Sequence, residues 1–427
     1  MTAEILAVGT ELLMGQIANT NAQYISSRLP GIGIGVYFHQ VAGDNPRRLK
    51  DALLFALGRS DTVIMTGGLG PTMDDLTKDA VAGCFGKKLV LDEHSMSRIR
   101  ARMTRLGNPA MAKNNERQAY FPEGALILDN DNGTAPGCII ENNGKTVIML
   151  PGPPSEMRPM FDDKVMPYLE KFGEYRLESK YLRIFGIGES RLEDMLKDII
   201  ESQTNPTIAT YAKEGEVTLR LTARYAAGAA PGSAENRGRA IEPDIISPIA
   251  SIVRERVGDC LFSDEDEDLE EAALKALTQN NLTLSLAESC TGGLIASRLT
   301  EIPGASKTFL SSAVTYSNEA KEALLGVCGE TLRAYGAVSA PVAREMAEGA
   351  RRVFGSDIAA SATGIAGPGG GSEEKPVGLV YIALAGQGGT SVKELRIPGP
   401  RARVRNIACL NVLDMIRRAA LGLPQAD

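Results

Sequence analysis

Short apolar runs alternate with amphipathic segments over the first 170 residues of the chain. Three strand-like runs are each followed by a helix-like segment: residues 5–9 then 19–29, 34–41 then 46–57, and 62–67 then 75–84. Repeated βα units of this kind predict a mostly parallel sheet covered by helices. Ligands of such sheets bind beyond the carboxyl ends of the strands, so the turns after these runs are candidate sites.

The pattern changes between residues 175 and 258. This stretch predicts a small α+β module with a strand at 181–185, a helix at 189–200 and a hairpin of 208–213 with 216–225. The alanine- and glycine-rich residues 226–232 indicate a loop or linker. An acidic run at 264–268 opens a predicted helix at 269–277, because carboxylates at a helix start complement the helix dipole.

The βα pattern resumes from residue 264 to the end. We expect strands at 283–286, 309–315, 358–362, 378–385 and 392–397, and helices at 293–299, 319–325, 341–354 and 401–418. The predicted fold class is therefore α/β. Two α/β domains, residues 1–170 and 264–427, have mainly parallel or mixed sheets and are joined by a small α+β module at 175–258.

Composition changes this picture little. With 427 residues, 43% hydrophobic and 23% charged, the chain is typical of a soluble globular protein of two or three domains. A net charge of −7 without a lysine and arginine run argues against nonspecific nucleic-acid binding. The first residues enter a strand without a leader-like segment, so we expect a cytoplasmic protein with no membrane association. Six scattered cysteines without a CxxC pair favour reduced thiols over disulfides or zinc.

The most informative motif is AESCTGG, which places Ser289 where a strand ends and a glycine-rich helix start begins. A serine hydroxyl needs a partner to take its proton, and the two histidines of the chain lie far upstream. Lys321 and Tyr316, which follow the next strand-like run, are the first candidates. Lysine acts as a base only when desolvation lowers its pKa, which walls formed by Leu284, Leu286 and Ala287 would favour. Cys290 competes as the nucleophile.

Two further features could converge on Ser289. The backbone N–H groups of residues 290–293 are free at a helix start to hold an oxyanion. The glycine-rich loop 361–376 permits close approach of a ligand, and Lys375 with Arg401, Arg403 and Arg405 could neutralise a phosphate. Together they indicate acyl chemistry on a phosphorylated small molecule. The alternatives are that Ser289 caps the helix, Lys321 is a solvated helix residue, Cys290 is a small buried thiol and the loop is only a turn.

Polar, glycine-rich turns also follow three strands of the N-terminal domain, at residues 9–11, 67–75 and 151–156. Glycine amides can cradle phosphates, while Asp74, Asp75 and Glu11 could hold a divalent cation that bridges phosphate oxygens. The alternative is that Asp74 or Asp75 caps the next helix.

The segments AESCTGG, TYSNEAK and SATGIAGPGGGSEEKPVG closely resemble the nicotinamide-nucleotide amidohydrolase domain, and nearly all 427 residues resemble the CinA (competence/damage-inducible) family. The resemblance implies hydrolysis of nicotinamide mononucleotide (NMN) to nicotinate mononucleotide and ammonia, without a cofactor. It implies that Ser289 is the nucleophile, Lys321 the base and Tyr316 an aid to proton transfer. The implied substrate contacts of this domain are Thr291, Gly292, Thr363, Gly364, Gly370, Lys375 and either Arg401 or Arg405.

The segments GTELLMGQIANTNAQYIS, TGGLGPTMDDLTKDA, NGTAPG and PGPPSEM resemble the molybdopterin-binding (MogA/MoaB-like) domain as it occurs in CinA proteins. In that family it implies metal-dependent hydrolysis of ADP-ribose to AMP and ribose 5-phosphate. Asp74, Asp75 and Glu11 are then the candidates for the divalent metal ion. The implied substrate contacts are Gly67, Gly68, Gly70, Gly133 and Thr134.

The middle module resembles the KH-like connector of the same family. The GxxG clamp of RNA-binding KH domains is not evident at Gly186-Ile187-Gly188, so nucleic acid is not an expected partner. The sequence therefore predicts a bifunctional enzyme that takes NMN and ADP-ribose and forms a homodimer. The alternatives are a competence or recombination accessory protein and a molybdopterin binder without catalysis in the N-terminal domain.

Overall fold

The computed structural model describes residues 1–105, 113–173, 175–226, 230–231 and 241–425. The chain forms two compact units, residues 1–178 with 224–243 and residues 179–223 with 244–427. Most of the small module therefore shares a unit with the C-terminal domain. No helix within the described residues is long and apolar enough to cross a membrane.

The N-terminal elements follow the predicted βα order. They are β1 (Thr2–Val8), α1 (Thr10–Leu13), α2 (Thr20–Arg28), β2 (Gly35–Ala42), α3 (Pro46–Arg59), β3 (Thr62–Thr66), α4 (Thr77–Phe85), β4 (Leu89–Leu91), α5 (Glu93–Arg105), β5 (Tyr120–Pro122), β6 (Leu126–Leu128), β7 (Gly137–Asn142), β8 (Lys145–Leu150), α6 (Pro154–Met160) and α7 (Met166–Leu169). Six strands form one sheet in the order β2-β1-β3-β8-β7-β6, in which the first four are parallel. β6 and β7 pair antiparallel, and β4 with β5 forms a separate antiparallel pair.

Alternate residues of this sheet enter two cores. Leu6, Met65 and Val147 pack on one face with α3 and α4, while Ile5 and Ile64 pack on the other with α2 and α6. Both faces are covered, which is why the central strands are almost continuously apolar. Because Ala7, Thr66 and Leu150 lie side by side in the register, the turns after β1, β3 and β8 meet at one edge of the sheet.

The middle module contains the predicted hairpin. Its elements are β9 (Tyr175–Phe185), α8 (Glu189–Glu201), β10 (Thr207–Lys213), β11 (Glu216–Ala226), β12 (Ala230–Pro231), β13 (Ile241–Glu242), α9 (Ile246–Val257) and β14 (Leu261–Ser263). Four strands form a sheet in the order β10-β11-β9-β14. Of the predicted linker 226–232, residue 226 ends β11 and 230–231 form β12, while 227–229 and 232 lie outside the described residues.

The C-terminal elements confirm the second α/β domain. They are α10 (Leu269–Gln279), β15 (Leu284–Glu288), α11 (Leu294–Glu301), β16 (Phe309–Val314), α12 (Asn318–Leu325), α13 (Gly329–Tyr335), α14 (Ala340–Phe354), β17 (Ile358–Gly364), β18 (Leu379–Gly386), β19 (Gly389–Arg396) and α15 (Arg401–Ala420). The sheet order is β16-β15-β17-β18-β19. The first three strands are parallel, and β18 and β19 are added as an antiparallel hairpin, so this sheet is mixed.

The other helical segments of the described residues are short and lie between these elements. They are the 3-10 segments Leu29–Ile32, Lys113–Ala119, Glu170–Phe172, Gly258–Cys260 and Ala305–Lys307 and the π-helical turn Phe161–Val165.

The acidic run before α10 has the structural role that the sequence predicts. Asp268 is the N-cap of α10 and forms a capping box with Glu271. The buried guanidinium of Arg183, on β9, donates to Asp266 at 3.0 Å, to Asp268 at 2.5 Å and to Glu216 at 3.2 Å. This cation links the sheet of the small module to the first helix of the C-terminal domain, which explains why the two share a compact unit.

Candidate functional site

Ser289 follows β15, which lies between the two strands parallel to it. Its backbone N–H donates to Ala362 O at 2.9 Å, at the end of β17. The chain then turns through Gly292 and Gly293, whose φ angles of 59° and 88° lie in the left-handed region that favours glycine. This turn delays the start of α11 to Leu294 and leaves Ser289 half-buried at the carboxyl end of the sheet.

Glu288 fills the N-terminus of α11. Its fully buried carboxylate accepts the backbone N–H groups of Gly293 at 2.9 Å, Ile295 at 3.2 Å and Ala296 at 3.0 Å. Ser289 makes no cap bond, so the capping alternative for it is wrong. Sequence reasoning missed Glu288. The available signal was an acidic residue that ends an otherwise buried apolar strand just before a glycine pair.

Lys321, on α12, is brought to Ser289 as predicted. Its Nζ donates to Ser289 Oγ at 3.2 Å and to the carbonyl of Thr315 at 2.8 Å. The side chain is 1% exposed, which contradicts the solvated alternative. Desolvation lowers the pKa of the Lys321 ammonium below its usual 10.5, as a lysine base requires.

Of the three residues predicted to form apolar walls around the lysine, only Ala287 shares a hydrophobic cluster with α12. Ala287 packs in the cluster that contains Leu325, on the helix of Lys321. Leu284 and Leu286 belong to the other core, because alternate residues of a strand face opposite sides of the sheet. The contacts shown for the buried amine are polar, with the carbonyl of Thr315 and the Ser289 hydroxyl.

Cys290 points into the apolar core and is 5% exposed. Burial raises the pKa of its thiol to about 11. A thiol held in its neutral form is a poor nucleophile, so the structure disfavours Cys290 and agrees with the small buried thiol.

Only part of the predicted oxyanion-binding backbone is free. The N–H of Gly292 donates to Ser289 O at 3.1 Å and that of Gly293 donates to Glu288, which corrects the expectation for these two residues. In the described chain, the N–H groups of Cys290 and Thr291 have no carbonyl or carboxylate acceptor, and both interact with the Cys290 sulfur. These two amides, next to Ser289, are the ones that could bind an oxyanion.

Arginines at the start of α15 tie the three predicted segments together. Arg405 donates to Thr291 O through Nε at 3.1 Å and Nη2 at 2.6 Å. Arg401 donates to Gly367 O at 2.9 Å and to the Tyr316 hydroxyl at 3.0 Å. The convergence is confirmed, but Tyr316 is 62% exposed and its hydroxyl is bonded to Arg401 rather than to Ser289 or Lys321.

The other predicted contacts of this domain are occupied by protein groups. Thr363 Oγ1 donates to Ala337 O at 2.8 Å, and Lys375 Nζ donates to Tyr335 O at 2.6 Å and Val338 O at 2.8 Å. These bonds hold the glycine-rich loop against the turn before α14. Three other predicted residues have different surroundings. A Cβ at Gly364 would overlap residues of β18, Gly370 has a φ of 86° in the region that favours glycine, and the guanidinium of Arg403 forms an ion pair with Glu214.

The turns of the N-terminal sheet enclose a cleft of about 420 Å³. Its lining includes the predicted Glu11, Gly67, Gly68, Gly70, Asp74, Asp75 and Thr134, together with Asp44, Gln118 and Glu156, which sequence reasoning missed. Gly133 lies beside the cleft, where a Cβ would overlap Glu156 Oε2. The predicted convergence of these turns on one site is therefore confirmed.

Asp75 closes the glycine-rich loop of this cleft. Its carboxylate accepts the N–H of Gly70 at 2.7 Å and both the N–H and hydroxyl of Thr72, at 2.8 and 2.6 Å. Neither Asp74 nor Asp75 caps α4, whose N-cap is Leu76 without a side-chain bond, so that alternative is wrong. Among the described residues, no group of three or more His, Cys, Asp or Glu side chains is arranged to hold a metal ion.

Comparisons with known proteins agree with this layout. Residues 4–171 match the family described as a probable molybdopterin binding domain, 179–263 the damage-inducible protein CinA KH domain and 266–420 the CinA C-terminal domain. A putative competence-damage inducible protein of Acetivibrio thermocellus is 58% identical over 423 residues, 99% of this chain and 100% of that protein. A CinA-like protein of Dictyoglomus turgidum is 52% identical over the same coverage. The match to the crystal structure of the competence/damage inducible protein CihA from Agrobacterium tumefaciens covers 35% of this chain and 94% of that chain. Its sequence identity is 45% and its TM-score is 0.34.

Proposed function

The chain belongs to the CinA family, and we propose that its C-terminal domain hydrolyses the carboxamide of NMN to give nicotinate mononucleotide and ammonia. The observation that carries the proposal is the 3.2 Å contact between Ser289 Oγ and the buried Lys321 Nζ. A desolvated lysine beside a serine hydroxyl is an established alternative to histidine as the base of a covalent hydrolase.

In the proposed reaction, Ser289 Oγ attacks the carboxamide carbon while neutral Lys321 Nζ takes the hydroxyl proton. Lys321 then gives this proton to the leaving nitrogen, the C–N bond breaks, and an ester to Ser289 remains. Water attacks the ester, Lys321 accepts its proton and returns it to Ser289 Oγ, and the nicotinate is released. The carbonyl of Thr315, which accepts from Lys321 at 2.8 Å, orients the amine through both steps.

The neighbouring groups supply positioning. The N–H groups of Cys290 and Thr291 bind the oxyanion of both tetrahedral intermediates. Arg401 is our choice for the phosphate of NMN, because the residue is exposed and one of its two bonds goes to the exposed Tyr316 hydroxyl, whereas the half-buried Arg405 uses Nε and Nη2 to hold Thr291 O. Tyr316 can aid proton transfer only by leaving its bond to Arg401 when substrate binds.

The test is to incubate the purified protein with NMN and measure ammonia. We expect release by the parent chain and none above background from the Ser289→Ala variant. Ser297→Ala, an exposed serine on α11, is the matched control and should retain full activity. No ammonia from the parent chain would refute the proposal. Activity that survives Ser289→Ala but is lost in Cys290→Ala would refute the assignment of the nucleophile.

We propose further that the N-terminal domain hydrolyses ADP-ribose to AMP and ribose 5-phosphate. Support comes from the cleft, where a backbone of glycines meets carboxylates at the strand ends. A Cβ at Gly67 would overlap Val8 O and one at Gly68 would overlap Thr77 Oγ1, so the loop can keep this path only with glycine. The amides of Gly67, Gly70 and Thr72 are bonded to Leu150 O and Asp75, so those of Gly68 and Leu69 are the ones we assign to a pyrophosphate.

Oxygen donors around this cleft fit a divalent ion such as Mg²⁺. That ion is commonly held by one or two carboxylates together with substrate phosphates and water, and Glu11 and Asp74 are the residues that would hold it here. A bound divalent ion neutralises pyrophosphate charge and activates water. Asp75 has the different task of holding the loop through Gly70 and Thr72.

The test is to supply ADP-ribose with Mg²⁺ or Mn²⁺ and measure AMP. Absence of AMP, together with tight binding of a pterin, would replace this proposal by the molybdopterin-binding alternative.

A further inference from the structure

Gln118 is an unexplained residue of the N-terminal cleft. Its side chain lines the cleft and is 2% exposed. Nε2 donates to Thr134 Oγ1 at 3.3 Å, whereas Oε1 is buried without a hydrogen-bond partner in the described chain. Buried amide oxygens are nearly always paired, and Oε1 has almost no accessible surface, so a ligand can supply its donor once the side-chain amide turns toward the cleft.

The backbone at Gln118 is held in place by the side chains of Lys78 and Arg117. The buried ammonium of Lys78 donates to Gln118 O at 2.8 Å and to Arg117 O at 3.3 Å. The guanidinium of Arg117 donates to Thr72 O at 3.2 Å and to Asp79 at 3.2 Å. The peptide that carries Gln118 is thereby tied to the glycine-rich loop, so the unpaired oxygen belongs to an ordered wall.

Glu156 adds a second acceptor to the same wall. It stands in the first turn of α6 and its Oε2 accepts Asn130 Nδ2 at 2.7 Å. Asn130 Oδ1 accepts the N–H of Gly133 at 2.7 Å, and the next residue, Thr134, is the partner of Gln118. The turn 130–134 therefore connects Gln118 to Glu156.

A wall that offers an unpaired amide oxygen and a carboxylate recognises hydrogen-bond donors. Ionised phosphates have none and would be repelled by Glu156, whereas ribose hydroxyls donate, and a carboxylate is a common partner of a ribose diol. We propose that Gln118 and Glu156 form a sugar-hydroxyl subsite of this cleft, in which Gln118 Oε1 accepts a hydrogen bond from a ribose hydroxyl. The inference rests on the proposed hydrolysis of ADP-ribose and identifies the ribose as the part of the substrate that Gln118 and Glu156 bind.

The test compares the parent chain with Gln118→Met, which keeps the side-chain length and removes the amide. Substrates are ADP-ribose and two analogues that lack the 2- and 3-hydroxyls of either the adenosine ribose or the terminal ribose. We expect Gln118→Met to raise KM for ADP-ribose about tenfold with kcat nearly unchanged, and to have little effect on KM for one of the deoxy analogues. Gln23→Met, an exposed residue of α2, is the matched control and should leave all constants unchanged.

Three results would overturn the subsite. An unchanged KM in Gln118→Met, with the parent chain active, refutes the subsite and leaves the proposed hydrolysis intact. An equal rise in KM for both deoxy analogues and for ADP-ribose indicates a structural role or contact with the adenine amine. A parent chain that neither binds nor hydrolyses ADP-ribose refutes both proposals. Far-UV circular dichroism and urea unfolding of the variant report whether its N-terminal unit is folded, because NMN hydrolysis reports only on the other unit.

Discussion

The two candidate sites occupy equivalent places in two different sheets, beyond the carboxyl ends of neighbouring parallel strands, yet they are equipped differently. In the C-terminal domain a serine and a buried lysine already touch, and Glu288 occupies the following helix N-terminus. In the N-terminal domain the helix after β3 has no side-chain cap, and the cleft is lined by a glycine backbone and carboxylates.

The difference follows from the chemistry that each site would support. A covalent nucleophile needs one proton acceptor kept neutral by burial, which the fold supplies from its own side chains. A pyrophosphate brings its own negative charge and needs donors and a counter-charge, which glycine amides and a bound cation supply. The corresponding edges of the two sheets would therefore meet different electrostatic requirements: a neutral base in one and positive charge for a phosphate in the other.

The sharpest way to separate the two sites is Ser289→Ala. We expect kcat/KM for NMN to fall by about 10⁴-fold or more, since loss of a nucleophile removes the covalent route. Hydrolysis of ADP-ribose by the same sample should stay within about twofold, because the cleft lies in a separate fold unit. Parallel ammonia and AMP assays check both, and a joint loss would contradict the independence of the sites.

Chelation should give the reverse result. With EDTA in excess, we expect ADP-ribose hydrolysis to fall by about 100-fold or more, while NMN hydrolysis is unchanged. Added Mg²⁺ or Mn²⁺ should restore AMP release. Loss of ammonia release under the same chelation would contradict the serine–lysine mechanism.

The pH profile sharpens the comparison through Lys321. Because burial lowers its pKa below 10.5, the neutral amine is reached at lower pH than for an exposed lysine. We expect kcat/KM for NMN to rise about tenfold per pH unit below that pKa and to level off before pH 10.5. Lys321→Arg should abolish the activity, since a guanidinium does not deprotonate. An NMN profile that is flat between pH 6 and 9 would count against a lysine base.

The smallest expected effect concerns Glu288. Glu288→Gln keeps one acceptor but places an amide N–H₂ against the backbone N–H groups of α11, so we expect a loss of about 1–3 kcal/mol in the free energy of unfolding. Glu319→Gln, exposed in the first turn of α12, is the control and should lower the free energy of unfolding much less than Glu288→Gln does. Urea unfolding measures both. Equal stability of the two variants would show that the buried carboxylate is not needed to hold the turn at Ser289.

Much of the fold and the central pair were predictable from local pattern. The order of strands and helices follows from hydrophobic periodicity, and the contact of Ser289 with Lys321 follows from adjacent strands whose carboxyl ends meet. The hydrogen bonds that complete the sites were not predictable. Glu288 reaches the amides of α11 only because two left-handed glycines reverse the chain, and the carboxylate of Asp75 accepts the N–H of Gly70, five residues earlier in the chain.

Tyr316 and Lys375 illustrate a second limit. Both carry groups suited to the predicted chemistry, and in the structure Tyr316 accepts from Arg401 while Lys375 donates to two carbonyls of the turn before α14. Sequence spacing indicates which segments meet but not which donor takes which acceptor. Such choices depend on side-chain directions that only the packed structure fixes.

The turn of the β10–β11 hairpin has a consequence for any attempt to treat the C-terminal domain as a portable module. Glu214 accepts from Arg403 at 3.0 Å and from Asn406 at 2.9 Å, and Gly215 fits against Ile407 and Leu410 only because it lacks a side chain. Excision at residue 264 would expose residues 403–410 of α15 to solvent, and this part of the helix includes Arg405 and begins two residues after Arg401. A cut at residue 264 therefore removes contacts that α15 makes with the small module, and a fragment that begins near residue 179 keeps them.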